Sequence, residues 1–162
     1  MKLYKPDNAR ERALDEEEYQ RLLTASSLHL QRIVICAYET DMRRGEIQFL
    51  TWNKIDLKAG LIRLDGTDTK TGKGPAVPIS AALQTILVEI RQELRVGKVA
   101  AIDGRVFTWK GRPMAEGWRT AFLAACRRAG LTALHFLESQ HTFVARKGRL
   151  RRNASLISAA GR

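Results

Sequence analysis

The chain has 162 residues, 44% of them hydrophobic, and its 28 lysines and arginines against 17 aspartates and glutamates give a formal charge of +11. That length and apolar content suffice for one domain with a buried core and exclude an intrinsically disordered chain. No apolar run approaches the ~20 residues that span a bilayer, and the opening Met1-Lys2-Leu3-Tyr4-Lys5-Pro6-Asp7 lacks the apolar segment of a secretory signal, so the cytoplasm, or a nucleoid-like compartment within it, is the simplest location.

Residues 1–13 are polar, charged and rich in breakers, and they read as an arm or linker remnant. Leu14-Asp15-Glu16-Glu17-Glu18 opens the first helix: Asp15 can cap it, Glu18 sits three positions on, and an acidic first turn suits the helix dipole. Tyr19, Leu22 and Leu23 form its inward stripe, which runs to about Ala25. A second helix is predicted from about Leu28 to Glu39, apolar nearly all round and therefore central to the core. His29 at its start reads as a surface or capping histidine, and Tyr38 near its end as core. Arg44 to about Leu50 is a short third helix.

The period then changes. Trp52, Ile55 and Leu57 lead to a turn at Lys58-Ala59-Gly60, and Leu61-Ile62-Arg63-Leu64 follows as a strand. Asp65 to Pro75 is a hairpin loop carrying Gly66, Lys70, Gly72, Lys73 and Gly74. Ala76-Val77-Pro78-Ile79 is the next strand, and Pro78 places it at an edge or near a strand end. Ser80 caps a long helix from about Ala81 to Arg95, with Leu83, Ile86, Leu87, Ile90 and Leu94 inward. After a connector, Val106-Phe107 reads as a very short strand and Gly111-Arg112-Pro113 as a turn. Glu116 to Ala129 is a helix burying Trp118, Phe122, Leu123 and Cys126, with Gly130 as its C-terminal stop. His135 to about Lys147 reads as a last helix. The fold class is mainly α with a small three-stranded antiparallel sheet.

The two cysteines, Cys36 and Cys126, lie among apolar or small neighbours with no CxxC spacing, so they read as reduced core thiols rather than zinc ligands. The charge surplus favours a polyanionic partner, most simply nucleic acid. An anionic membrane surface is the rival, and no strongly amphipathic basic helix supports it. The chain has no Walker loop, dinucleotide glycine fingerprint, HExxH pair or Ser/His/Asp arrangement, and its carboxylates form no convincing metal constellation, so neither cofactor nor metal is expected.

What remains is cationic. Arg43 starts a helix directly after a buried one, a place from which a rigid element can aim it at a phosphate. Arg44 adjoins it and cannot share its helical face, so one of the two meets solvent or pairs with Glu46. Lys70 sits between Thr69 and Thr71 at the hairpin tip; it is either a solubilising turn lysine or a donor to phosphate and to a leaving oxygen. His141 precedes Thr142 and apolar Phe143. Such cations suit metal-free phosphodiester chemistry, in which donors stabilise a pentacoordinate phosphorus. That chemistry needs a nucleophile, yet the only tyrosines are Tyr4, Tyr19 and Tyr38.

From about residue 14 to 145 the sequence resembles the catalytic domain of the tyrosine recombinases, the phage integrase family. Thr40-Asp41-Met42-Arg43-Arg44-Gly45-Glu46-Ile47, followed by Leu50-Thr51-Trp52 and Ile55-Asp56, resembles the family's TGxRxxE and LxWxxID segments. Thr69-Lys70-Thr71-Gly72-Lys73 with Val77-Pro78-Ile79 resembles its TKTxK hairpin, and His141-Thr142-Phe143 resembles the end of its HxLRHTF helix. The resemblance implies cutting and rejoining of double-stranded DNA through a phosphotyrosyl intermediate, without metal or nucleotide cofactor. It implies that Arg43 grips the scissile phosphate, that Lys70 is the general acid, and that Glu46 is a structural brace. It further implies a supporting role for His141, and Arg44, Lys73 and His141 are expected to bind DNA phosphate beside Arg43 and Lys70.

The departures are as informative. Asp41 replaces the usual glycine, which a residue tolerant of turn conformations can do. Where the family has its catalytic histidine and second arginine, this chain has Leu137 and Gln140. Leucine transfers no proton, and a neutral amide cannot replace a bidentate guanidinium. His135 lies two residues early, about 200° away around a helix. The fourth family motif and the tyrosine nucleophile are not recognisable. The expectation is an integrase-like catalytic domain over 14–147, incomplete and inactive alone, with a basic tail over 148–162 that is either disordered or against nucleic acid. A fragment, a frameshifted product and a natural remnant of a prophage gene all fit. The alternative is a non-catalytic DNA-binding or regulatory protein, or a functionless prophage remnant; the expected partners are double-stranded DNA and a full-length recombinase, and the expected solution state is a monomer or weak dimer.

Overall fold

The structure, a computed structural model, describes residues 14–40, 42–65, 74–98, 103–109, 112–113 and 117–131. The arm over 1–13, the hairpin tip, the helix expected from His135 and the tail over 148–162 lie outside the described residues.

Helix α1 (Glu16–Ala25) begins as its sequence dictates. The Asp15 carboxylate accepts the Glu18 backbone N–H at 2.8 Å, and the Glu18 carboxylate accepts that of Asp15 at 3.2 Å, two otherwise unpaired donors satisfied reciprocally. Helix α2 (Leu28–Thr40) is the core element, with Leu30, Ile33, Val34, Cys36 and Ala37 buried. It packs against α4 (Ala81–Arg95), α5 (Gly117–Arg128) and the short α3 (Arg44–Gln48). Its apolar circumference is thus covered by three helices, the arrangement expected of an all-round apolar helix. Tyr38, half-buried, stacks on Tyr19 of α1 with ring centroids 4.0 Å apart.

Helices α1 and α5 clasp each other's ends. The Arg128 guanidinium donates twice to the Ala25 carbonyl, at 3.1 and 2.8 Å, and Arg21 donates to the Ala129 carbonyl at 3.3 Å. Each helix thereby satisfies a terminal carbonyl of the other and places a cation at a C-terminus. Gly130, at φ +69°, turns the chain out of α5 and lets the Leu131 N–H reach the Cys126 carbonyl at 2.9 Å.

The sheet has the order β1-β2-β3, antiparallel throughout, from β1 (Ile55–Asp56), β2 (Leu61–Arg63) and β3 (Ala76–Pro78). Ile62 of the central strand is fully buried and pairs Ile55 on one side and Val77 on the other. The Asp56 carboxylate accepts the Lys58 and Ala59 N–H groups at 3.1 and 2.9 Å and fixes the turn into β2. Pro78 lies on an outer strand, where a missing donor leaves no partner unpaired.

The structure corrects four expectations. Val106 and Phe107 form no strand: both are buried, and two consecutive inward side chains break strand alternation. Pairing falls instead on β4 (Thr108–Trp109) with β5 (Arg112–Pro113), where a turn was expected. Leu123 is 36% exposed, because the buried stripe of α5 runs through Trp118, Phe122, Ala125, Cys126 and Ala129 and leaves Leu123 a hundred degrees or so to one side. Helix α3 ends at Gln48 with Phe49 as its cap, close to the expected end, and the Leu50 carbonyl beyond it accepts the Val106 N–H at 3.0 Å. His29 is neither a cap nor a surface group: it is half-buried against Trp109, ring centroids 5.0 Å apart.

Candidate active site

The motif around Arg43 is set by two hydrogen bonds of Thr40. Its hydroxyl donates to the Cys36 carbonyl at 2.6 Å and accepts the Met42 N–H at 3.3 Å, tying the chain that leaves α2 back onto it. Met42 is then buried, and Arg43 follows in extended conformation as the residue preceding α3. The Glu46 carboxylate accepts the Arg43 backbone N–H at 2.6 Å, and the Arg43 carbonyl accepts the Ile47 N–H at 3.0 Å. A guanidinium has no acceptor, so this cap works in one direction only. The Arg43 backbone is held from both sides, while its side chain is exposed and has no ion pair among the described residues.

Arg44 turns the other way. It is half-buried, with its guanidinium 5.9 Å from the ring centroid of Trp118 on α5. Glu46, half-buried, is engaged with the Arg43 backbone. Buried Ile47 pins α3 to the core from beneath.

The hairpin that carries Lys70 and Lys73 rises from β2 and β3, whose last described rung is the Leu64 N–H to the Pro75 carbonyl at 3.1 Å. Lys70, Lys73 and His141 lie outside the described residues, as do Leu137, Gln140 and Asp41. The structure thus places Arg44 and Glu46 on one short helix and Arg43 at its N-terminal cap. It adds one residue that the sequence did not single out, Arg105, whose guanidinium stands 4.6 Å from the Phe49 ring centroid at the far end of α3. Only its position just before the apolar pair Val106-Phe107 could have drawn notice.

Cys36 and Cys126 are free and buried, and burial pushes their thiols up to about 12 and about 11. Neither is a nucleophile at neutral pH. Burial raises the Tyr19 phenol well above its ordinary range, with Glu39 adding to the effect. Among the described residues, no His, Cys, Asp and Glu cluster could hold a metal ion, and no helix is long and apolar enough to cross a membrane.

The fold of these helices around a small antiparallel sheet is that of a tyrosine recombinase catalytic domain. The crystal structure of XerA recombinase matches with a TM-score of 0.68 at 22% identity, over 91% of this chain and 54% of that one. The lambda integrase catalytic core matches with a TM-score of 0.62 at 19% identity, over 81% of this chain and 80% of that one. The phage integrase family model matches residues 12–148, and the chain belongs to that family. A shufflon-specific DNA recombinase of Escherichia coli is 32% identical over 145 residues, 88% of this chain and 34% of that protein. A putative integrase/recombinase of Haemophilus influenzae is 32% identical over 123 residues, 68% of this chain and 32% of that protein. The chain spans about a third of the length of these curated relatives.

Proposed function

We propose that this chain holds duplex DNA at a phosphate site centred on Arg43 and, as a 162-residue polypeptide, does not cleave it. The observation that carries the reading is the exposed Arg43 guanidinium, without an ion pair among the described residues, on a backbone fixed by Glu46. A cation on a fixed backbone, without an ion pair among the described residues, is suited to an anion from outside the chain. Membership of the phage integrase family and the formal charge of +11 favour DNA phosphate as that anion. Among structural relatives, lambda integrase is solved bound to DNA.

In this reading Lys70 and Lys73 serve the same DNA backbone, with Lys70 at the leaving oxygen and His141 in support, while Arg44, whose guanidinium faces Trp118, steadies α3 rather than touching DNA. Catalysis fails at two positions. Leu137 cannot carry a proton and Gln140 cannot place a second guanidinium on the scissile phosphate. The described tyrosines offer no substitute nucleophile, since Tyr19 and Tyr38 are stacked on each other between α1 and α2. The chain works on DNA as a non-cleaving binder, alone or beside a full-length recombinase, and is a monomer or weak dimer free in solution.

The test pairs two assays on the same polypeptide. Titration of a labelled duplex at increasing salt should show binding that weakens steeply, and Arg43→Ala should weaken it about tenfold and lower the salt slope by about one. An unchanged slope would remove Arg43 from the phosphate. Incubation with a nicked suicide duplex should yield no protein–DNA adduct on a denaturing gel; an adduct through any tyrosine would overturn the non-cleaving part.

A further inference from the structure

The structure assigns Arg105 as a positioning residue for Arg43, acting through the C-terminal end of α3; this inference rests on the phosphate site proposed above. Helix α3 has five residues, too few to hold itself together in water. Its ends must be held by groups outside it. At the N-terminal end the Glu46 carboxylate takes the Arg43 N–H. At the other end Arg105 makes two contacts: its Nη1 donates to the Gln48 carbonyl at 3.3 Å, and its guanidinium faces the Phe49 ring at 4.6 Å. Gln48 is the last residue of α3 and Phe49 its C-terminal cap, so the cation sits where helix carbonyls lack partners and where positive charge is favoured.

Arg105 is itself well anchored. Its backbone bridges Thr51, the Trp52 N–H donates to the Gly104 carbonyl at 2.9 Å, and the Val106 N–H donates to the Leu50 carbonyl at 3.0 Å. Val106 and Phe107, which follow it, are buried in the core. The guanidinium therefore projects from a backbone fixed to the same chain segment that leaves α3. Phe49 is 54% exposed, an uncommon place for a large apolar ring, and the stacked cation gives that ring a partner. If the last turn of α3 frays, the Ile47 N–H to Arg43 carbonyl bond and the Glu46 cap lose their support, and the Arg43 side chain loses its fixed origin. Arg105 need not touch DNA for its loss to be felt there.

The test is a double-mutant cycle read by duplex affinity and salt slope. Arg105→Ala should weaken binding about fivefold and lower the slope by about one, because the Arg43 contact is lost with it. The variant lacking both arginines should bind no more weakly than Arg43→Ala alone, and Arg105→Lys, which keeps a cation able to reach the Gln48 carbonyl, should restore most of the affinity. A merely structural role would leave the slope unchanged. Additive losses, with the slope falling by about two in the double variant, would make Arg105 an independent DNA contact and overturn the assignment. An Arg105→Ala variant with unaltered affinity would overturn it as well. Should Arg105→Ala fail to fold, Arg105→Met keeps the aliphatic stem on Phe49 and carries the same cycle. If Arg43→Ala itself leaves affinity and slope unchanged, it is the phosphate site that fails, an outcome separate from a failure of Arg105.

Discussion

The Glu46 carboxylate grips Arg43 by its backbone N–H, at 2.6 Å, and leaves the Arg43 guanidinium exposed. The acid therefore does not neutralise the cation it supports. Glu46→Ala removes the acceptor from an otherwise unpaired N–H at the start of α3 and should cost about 1 kcal/mol in a urea melt. Glu46→Gln keeps an acceptor and should recover most of that. On duplex DNA, Glu46→Ala should weaken binding although it removes a negative charge, whereas a simple charge effect would strengthen it. Tighter binding by Glu46→Ala would rule out the brace.

Arg32 of α2 holds Glu93 of α4 through two charge-assisted bonds, at 2.6 and 2.8 Å, with Glu89 at 3.9 Å. The hydrogen bonds from Arg32 hold the Glu93 carboxyl below its ordinary range, against a smaller opposing effect of burial. A carboxylate depressed in the folded state contributes stability that is present above the unfolded pKa, near 4.3, and is lost as pH falls through the folded value. Glu93→Gln should thus cost about 1–2 kcal/mol at pH 7 and much less at pH 2–3. Urea midpoints at the two pH values check this; an equal cost at both would mean that packing, not the ion pair, is what Glu93 supplies.

These relationships differ in how far the sequence announces them. The Asp15/Glu18 capping box, the Ser80 cap of α4 at 3.3 Å to the Leu83 N–H, and Gly130 at positive φ are local devices: a few adjacent residues specify them, and each is where its sequence puts it. The central place of α2 is legible too, because a helix apolar all round has only the core to occupy. Arg43 and Glu46 stand out by spacing, but that the acid binds the arginine's backbone, while Arg44 turns to Trp118, depends on where α5 lies. Non-local contacts are not legible in the sequence for the same reason. Trp109 lies 80 residues beyond His29, and nothing near either announces that they meet. Arg105 and Phe49 come together only because the segment around Arg105 pairs with Leu50 and Trp52.

His29 turns that unread contact into a pH dependence. Its ring is half-buried against Trp109, and its Nε2 is buried without a partner among the described residues. Burial, and secondarily the charge of Arg32, push the imidazole down to about 4. An unfolded histidine takes its proton near pH 6.5, so between the two values the unfolded chain binds a proton that the folded chain refuses. Stability therefore rises with pH across this window: the full contribution is present above about 6.5 and is lost progressively as pH falls to about 4. Most of this window lies above the unfolded pKa of Glu93, near 4.3, so the two can be separated. His29→Phe keeps a ring against Trp109 and removes the titration. Between pH 7 and pH 4.5 the natural chain should lose on the order of 1–2 kcal/mol more than the variant, a figure reduced from the full linkage because the ring is partly exposed to solvent. Urea midpoints at half-unit steps of pH measure the difference. Parallel profiles for the two chains would mean that the His29 imidazolium reaches water in the folded state, and that its contact with Trp109 does not exclude the proton.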